Sequence, residues 1–512
     1  GGYINNWQFS EDGIKGILKK LANTGIEMIE MGFLKGTVSD PDISLFPDTR
    51  SCDNILRERD PGVRYVAMLD ISAPVEMSCI TERKPGGLDG IRVIFKKNRL
   101  EEAWPYCEHI KKMGYELYVN FVSTDQYSDE ELISGIRRYE TLSPDGMTIV
   151  DTFGMIKRKT FLHLVDVFDK TMAPGIMLCY HAHNNLQQAF GNAEALIDLN
   201  LDRDLCIDAC VFGMGRGAGN LCLELFAEYM NENFGTRYRI QPMLEIMDEY
   251  LTEFYNRKFW GYALPFYLTA SLGCHPNYGT YLAEKGTLTE KMFNEILKSI
   301  SDEDKQIFSK EKAEHYFLQY METFLDDRED LEKLSALLSR KHVVLLAPGK
   351  SLNDYREKIL ALQQLPDTVT IAVSFYSPDW NIDYIFSPNM RRFVKIQGRT
   401  PAKCIITSNM KEATQKDFVV NFSSFASKNR EILDNSGLML LRLLSAVGVR
   451  EVTIAGMDGY SSREFTRNYF SRDWEFDFSK EAEKRNRLIS EDLTEIRKSL
   501  SFRFLTPTVY EI

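Results

Sequence analysis

No two of the nine cysteines stand as a C-x-x-C pair, which excludes a zinc ribbon and a thioredoxin-like motif. They lie at 52, 79, 107, 179, 206, 210, 222, 274 and 404. An odd number, on a chain that opens without a signal-peptide pattern, predicts reduced thiols in a cytoplasm. No apolar run reaches the roughly 18 residues that a membrane span needs. Positive charge is in deficit: 62 Lys and Arg against 74 Asp and Glu leave a formal charge of −12. That balance argues against a general nucleic-acid coat, which must displace counterions with positive charge. With 512 residues, 44% hydrophobic and 27% charged, the chain is neither disordered nor a disulfide-stapled miniature. Its length predicts two or three domains, each with its own core.

The first 215 residues alternate short apolar runs with helical patterns. The runs centre near Ile29, Ala67, Val93, Val119, Ile149, Cys179 and Ala209. Amphipathic stretches such as 100–113, 129–142 and 157–172 lie between them, which predicts βαβ units and a parallel sheet. Near-constant spacing favours a closed (β/α)8 barrel over an open doubly wound sheet. Seven strands are visible where eight are required, and Gly1-Gly2 reads as the loop after a first strand that has been cut away. The expected organisation is a barrel over 1–234, a helical extension over 235–325, a charged linker over 326–340 and a Rossmann-like open α/β domain over 341–512.

The sharpest chemical signal is Cys179-Tyr180-His181-Ala182-His183-Asn184-Asn185. Side chains two apart on a strand share a face, so both imidazoles are expected at the barrel mouth. Convergent imidazoles at that spacing suit a divalent metal, and two unliganded histidines are the plainer reading. Phe212-Gly213-Met214-Gly215-Arg216-Gly217-Ala218-Gly219-Asn220 follows the next run. Its glycines let backbone amides approach an anion, and Arg216 is available for a carboxylate or phosphate. Glu30, Asp70, Arg92, Asn120 and Asp151 stand at other strand ends, either as caps and salt-bridge partners or as the lining of a polar mouth.

These segments resemble the metal-dependent aldolase and lyase superfamily that includes 4-hydroxy-2-oxovalerate aldolase, hydroxymethylglutaryl-CoA lyase and isopropylmalate synthase. Gly1-Gly2-Tyr3 with Asn5-Asn6-Trp7, the segment Gly25–Gly32, the His181–Asn185 motif and the glycine loop occur in the family's order. The 4-hydroxy-2-oxo acid aldolases match best, and Cys274-His275-Pro276-Asn277-Tyr278 resembles the segment that carries their active-site tyrosine. The resemblance implies Mn²⁺ or Mg²⁺ on His181, His183 and Asn220, and a 2-oxo acid with an aldehyde as small-molecule partners. It also implies proton transfer by Tyr278 and Tyr3, with Arg216, Glu30, Asn120 and Asp151 binding substrate. The family's Thr-Leu-Arg-Asp-Gly-Gly motif would place an arginine and a metal-binding aspartate immediately before Gly1. Where the closest aldolases carry a histidine, this chain has Tyr3. A cytoplasmic enzyme is expected, without nucleic-acid or membrane partners, and a homo-oligomer is compatible with the sequence. A Claisen-type synthase or acyl-CoA lyase is the rival on the same barrel. An amidohydrolase would place its His-x-His near the barrel's start, and an impaired barrel would leave function to the carboxy-terminal domain.

In that domain Val343–Ser351 is not a P-loop, because Val344 stands where the motif needs glycine. It still places Gly349, Lys350 and Ser351 at a strand-to-helix turn able to hold an anion. Asn435 and Gly437 before a helix, and Asp458 after a strand, complete a candidate nucleotide- or sugar-nucleotide-binding set. The domain loosely resembles sialyltransferase-type and pterin-diphosphokinase-type proteins, and an ordinary scaffolding domain is the plainer alternative.

Overall fold

Apolar runs buried on both faces form the strands of two all-parallel sheets, as expected where helices cover a sheet. The computed structural model describes residues 1–36, 40–462, 469–474 and 478–511. The chain divides into two units, Gly1–Thr280 and Tyr281–Ile512. The helical stretch expected over 235–325 is thereby shared between them.

The first unit carries β1 (Met28–Leu34), β2 (Leu45–Phe46), β3 (Arg64–Asp70), β4 (Gly90–Lys96), β5 (Glu116–Val122), β6 (Gly146–Asp151), β7 (Met177–Ala182) and β8 (Leu205–Ile207). Their order is β2-β1-β3-β4-β5-β6-β7-β8. Six of the seven expected centres fall inside strands, and Ala209 lies just past β8. The two-residue β2 pairs with the end of β1 through Phe33 and Leu34. Alternation sorts the side chains by face. Ala67, Leu69, Ile91, Val93, Leu117, Val119, Met147 and Ile149 join the apolar core with the surrounding helices, while Val66, Tyr118 and Cys179 pack together on the other face.

One arginine shows that the sheet is rolled. Arg92 on β4 bonds Glu30 on β1 at 2.9 Å and Asp208 just after β8 at 2.5 Å. In a flat sheet β4 and β8 would stand roughly 19 Å apart at the usual strand spacing, beyond the reach of one side chain. The described strands therefore form an open (β/α) barrel whose sheet ends at β2 and β8. The helices outside it are locally specified. Ser128 and Glu131 form a reciprocal capping box at the start of Asp129–Glu140, whose Leu132, Gly135, Ile136 and Tyr139 make one buried stripe.

The second unit carries β9 (His342–Leu346), β10 (Thr368–Val373), β11 (Tyr384–Ser387), β12 (Lys403–Thr407), β13 (Phe418–Val420), β14 (Glu451–Ala455) and β15 (Ser501–Phe504). Their order is β13-β12-β11-β10-β9-β14-β15. The chain builds outward from β9 to β13 and then returns beside β9 as β14. That reversal is a topological switch point, the place where open parallel sheets bind ligands. Gly456, directly after β14, has φ +75°, and a Cβ there would sit 2.0 Å from the Ala347 carbonyl oxygen. Gly456→Ala is expected to cost the second unit about 1–3 kcal/mol, read as a lower urea midpoint. An unchanged midpoint would show that this crossing can relax. Among the described residues no helix is long and apolar enough to cross a membrane.

Candidate active site at the barrel mouth

His181 is the next-to-last residue of β7, and its Nδ1 lies 2.9 Å from Asp208 Oδ2. That contact assigns the proton to Nδ1 and leaves Nε2 for a ligand, the usual arrangement of a carboxylate behind a metal-binding imidazole. Asp208 is itself held by Arg92, whose side chain is only 7% exposed. Burial opposes the charge on Arg92, but Asp208 and Glu30 outweigh it and raise the guanidinium pKa. Burial likewise opposes the Asp208 carboxylate, yet Arg92 and His181 bring its pKa down to about 2. Glu30, Arg92, Asp208 and His181 thus form one hydrogen-bonded chain across the barrel interior.

His183 follows two residues later, with its ring centroid 5.5 Å from that of His181. A hydrogen bond to the Arg216 backbone steadies this second imidazole. Burial first, then the positive charges of His181 and Arg216, bring its pKa down to about 3, so the ring is neutral and able to donate a lone pair. Asn220 bridges to His183 through the backbone. Its Nδ2 donates to the Met214 carbonyl at 2.9 Å, while its buried Oδ1 has no hydrogen-bond partner among the described residues. A buried carbonyl oxygen left unpaired is costly unless something else fills its place. The two imidazoles and this oxygen form a donor set of the kind that fits a divalent cation. Among the described residues no group of three or more His, Cys, Asp and Glu is arranged to hold a metal.

The glycine loop is fastened to the histidine strand by Asn185. Its Oδ1 accepts from the Ala218 amide at 2.7 Å, and its Nδ2 donates to the Phe153 carbonyl at 2.9 Å. Gly217, at φ +63°, leaves room for that amide: a Cβ would lie 2.5 Å from Asn185 Oδ1. The Arg216 guanidinium carbon lies 3.5 Å from the Tyr3 ring centroid, a stacking worth about 0.5–2 kcal/mol. Burial raises the Tyr3 pKa, Arg216 opposes the rise, and Asp70 and Glu30 add to it. A phenol held in this way stays protonated at neutral pH and can give a proton more readily than take one.

Residues 96–248 match the HMGL-like family. In this stretch the first unit is similar to barrels of the aldolase and lyase superfamily. The chain is 24% identical over 225 residues to the oxaloacetate decarboxylase of Mycobacterium tuberculosis, covering 44% of this chain and 65% of that protein. It is 24% identical over 251 residues to the 4-hydroxy-2-oxovalerate aldolase of Roseiflexus castenholzii, covering 48% of this chain and 71% of the relative. The chain thus spans about two thirds of the length of these curated relatives. Among solved structures, the HMG-CoA lyase of Brucella melitensis aligns with 19% identity, over 47% of this chain and 92% of that one, at a TM-score of 0.37.

The barrel does not place every expected residue in the same way. His181, His183, Asn220, Arg216 and Tyr3 are tied into one neighbourhood by the contacts above. Glu30 is committed to Arg92. Asn120 is buried and accepts from the Thr148 hydroxyl at 2.7 Å. Asp151 accepts from the amides of Met155 and Ile156 at 2.9 and 3.0 Å, so it closes the loop after β6. Burial pushes its pKa up to about 7 against those amides. Tyr278 is 0% exposed, and its amide donates to the His275 carbonyl.

Two barrel residues were not singled out from sequence. Asp208 could have been found by alternation, since Cys206, Asp208 and Cys210 continue one face past the end of β8. His275 packs on Phe153 with ring centroids 5.4 Å apart, and its Nδ1 accepts from the Asn277 amide at 3.1 Å. Burial, then Arg216 and Lys96, lower its pKa to about 4.

In the second unit, Gly349, Asn435, Gly437 and Asp458 line a cavity of about 110 Å³. Lys350 is exposed and does not line it. Ser351 is drawn away, donating from its amide at 2.8 Å and from its hydroxyl to the Asp458 carboxylate.

Proposed function

We propose that the barrel is a divalent-metal-dependent carbon–carbon lyase that makes or cleaves a bond of a 2-oxo acid, as an aldolase releasing or using pyruvate. The observation that carries this reading is the unpaired Asn220 Oδ1 beside two imidazoles whose other contacts are already fixed. Supporting it are the relatives named oxaloacetate decarboxylase and 4-hydroxy-2-oxovalerate aldolase.

His181, His183 and Asn220 would hold the cation. When bound, such an ion acts as a Lewis acid on the 2-oxo group and stabilises negative charge on its oxygen. Arg216 orients the substrate carboxylate as a planar, bidentate donor. Asp208 keeps the His181 ring in one tautomer and one orientation, with Arg92 and Glu30 fixing Asp208 in turn. Proton transfer falls to groups at the mouth. Tyr278 stands on the helix that follows His275, and Tyr3 lies under Arg216. His275, neutral at physiological pH, accepts the Asn277 amide at Nδ1, which puts its proton at Nε2.

The test supplies Mn²⁺ to the full chain and follows pyruvate release from a panel of 4-hydroxy-2-oxo acids and from oxaloacetate. Release that stops on chelation and returns with Mn²⁺ supports the reading. Absence of release from every member, with or without metal, contradicts it. Thiol release from an acyl-CoA instead would establish the acyl-CoA lyase alternative.

A further inference from the structure

The cavity of the second unit lies beyond the carboxyl ends of β9 and β14, at the switch point of the sheet. Its walls are unusually rich in hydrogen-bond donors. Arg485 is one of them, with a side chain only 14% exposed. Its Nε is 3.1 Å from Glu481, and its guanidinium carbon lies 4.0 Å from the Phe478 ring centroid. Its two terminal nitrogens make no hydrogen bond to a described residue. A buried guanidinium normally has its outer nitrogens occupied, since the loss of hydration is large. Tyr460 and Tyr510 line the same space and feel the charge of Arg485, and neither hydroxyl bonds to a described residue. Arg392 adds a second guanidinium, anchored by a 2.6 Å bond to the Trp474 carbonyl.

The helix Ser436–Ala446 begins at the cavity wall. Its cap, Asn435, accepts from the Leu438 amide, and the amides of Ser436 and Gly437 find no acceptor among the described residues. A helix of this length adds positive potential at its start. Gly437 and Met457 are in close contact, since a Cβ at 437 would lie 3.2 Å from the methionine methyl, so the cavity floor at this helix start is tightly packed.

Two carboxyl groups also line the cavity, but neither cancels these donors. Both Asp458 oxygens are engaged by Ser351. Asp434 is bonded to Thr287, and burial raises its pKa.

We propose that this cavity binds the phosphoryl group of a small phosphorylated ligand, with Arg485, Tyr460, Tyr510 and the Ser436–Gly437 amides as its donors. A tetrahedral oxyanion accepts from several directions at once, which a planar carboxylate cannot do, and a cavity of about 110 Å³ holds such a group while the rest of the ligand lies outside. The site is separate from the barrel and does not depend on its reaction.

Calorimetry on the full chain tests this with inorganic pyrophosphate, UDP and glucose 1-phosphate. Saturable binding of at least one probe is expected. Arg485→Gln should weaken it by about tenfold or more, and Tyr460→Phe, which removes one hydroxyl without changing shape, by roughly threefold to tenfold. Arg216→Gln, in the barrel, should leave it unchanged. UDP binding more tightly than pyrophosphate makes a nucleotide the source of the phosphoryl group; equal affinities mean that the phosphoryl group alone is read, and both support the site. The proposal is overturned if no probe binds, if Tyr460→Phe and Arg485→Gln both bind as the parent does, or if binding is lost in Arg216→Gln. Tyr460→Phe keeps the test decisive should Arg485→Gln fail to fold.

Discussion

Replacing His181 with alanine is expected to lower Mn²⁺-dependent pyruvate formation by a factor on the order of 10³ or more. The loss is that large because, on the proposed reading, the imidazole would supply one of three donors to an ion whose Lewis acidity lowers the barrier by several kcal/mol. The fold should survive, since His181 is one quarter exposed and its removal leaves Asp208 still paired with Arg92. Asp208→Asn separates orientation from ligation. It leaves His181 in place but removes the charge that fixes its tautomer, so metal affinity should fall by roughly 10- to 100-fold. Calorimetric metal binding beside activity distinguishes the two variants. Equal metal affinity in the parent and in His181→Ala would exclude this residue from the cation site, even if activity fell.

Arg92→Met should carry the largest stability cost of any single change at the mouth. The substitution keeps most of the side-chain volume but removes a buried cation that bonds Glu30 and Asp208. Asp208, 14% exposed, then becomes a nearly buried carboxylate left with its hydrogen bond to His181. Breaking such a pair from one side costs about 3–5 kcal/mol, much more than the intact pair contributes. Urea unfolding should show that drop, and adding Asp208→Asn should recover part of it, because the stranded charge is gone. A full-sized loss that the second change does not relieve would mean that Arg92 acts mainly by filling space.

In the second unit the sequence predicts strands at His342–Leu346, Thr368–Val373, 383–387, Lys403–Thr407 and 452–456, and the structure has β9, β10, β11, β12 and β14 there to within one residue. Their mostly apolar runs make them legible, because buried parallel strands read as continuous runs. The strands β13 and β15 were missed for the opposite reason. Phe418–Val420 is only three residues long, and Ser501–Phe504 exposes Ser501 and Arg503 at the sheet's edge. In the barrel, the His-x-His spacing identified the histidines because a strand's period of two leaves few alternatives. Asp208 was harder to see, because β8 is three residues long and its inward face continues into irregular chain. Asp151 illustrates a limit of strand-end reasoning. Its place in the sequence is that of a substrate contact, but both oxygens meet amides four and five residues ahead, a partnership set by loop geometry. The same holds in the second unit, where Lys350 and Ser351 have the residue types of an anion-binding turn while Arg485 and Tyr510, distant in sequence, line the cavity.

The central proposal is that His181, His183 and Asn220 would hold a divalent cation whose Lewis acidity would promote enolisation of a pyruvate-like substrate at the barrel mouth. Pyruvate in D₂O tests it without knowledge of the aldehyde, because enolisation exchanges methyl protons with solvent. Mass spectrometry of pyruvate incubated with the full chain and Mn²⁺ should show deuterium entering the methyl group. The exchange should stop on chelation and be absent in His181→Ala. Exchange no faster than with Mn²⁺ alone would contradict the claim.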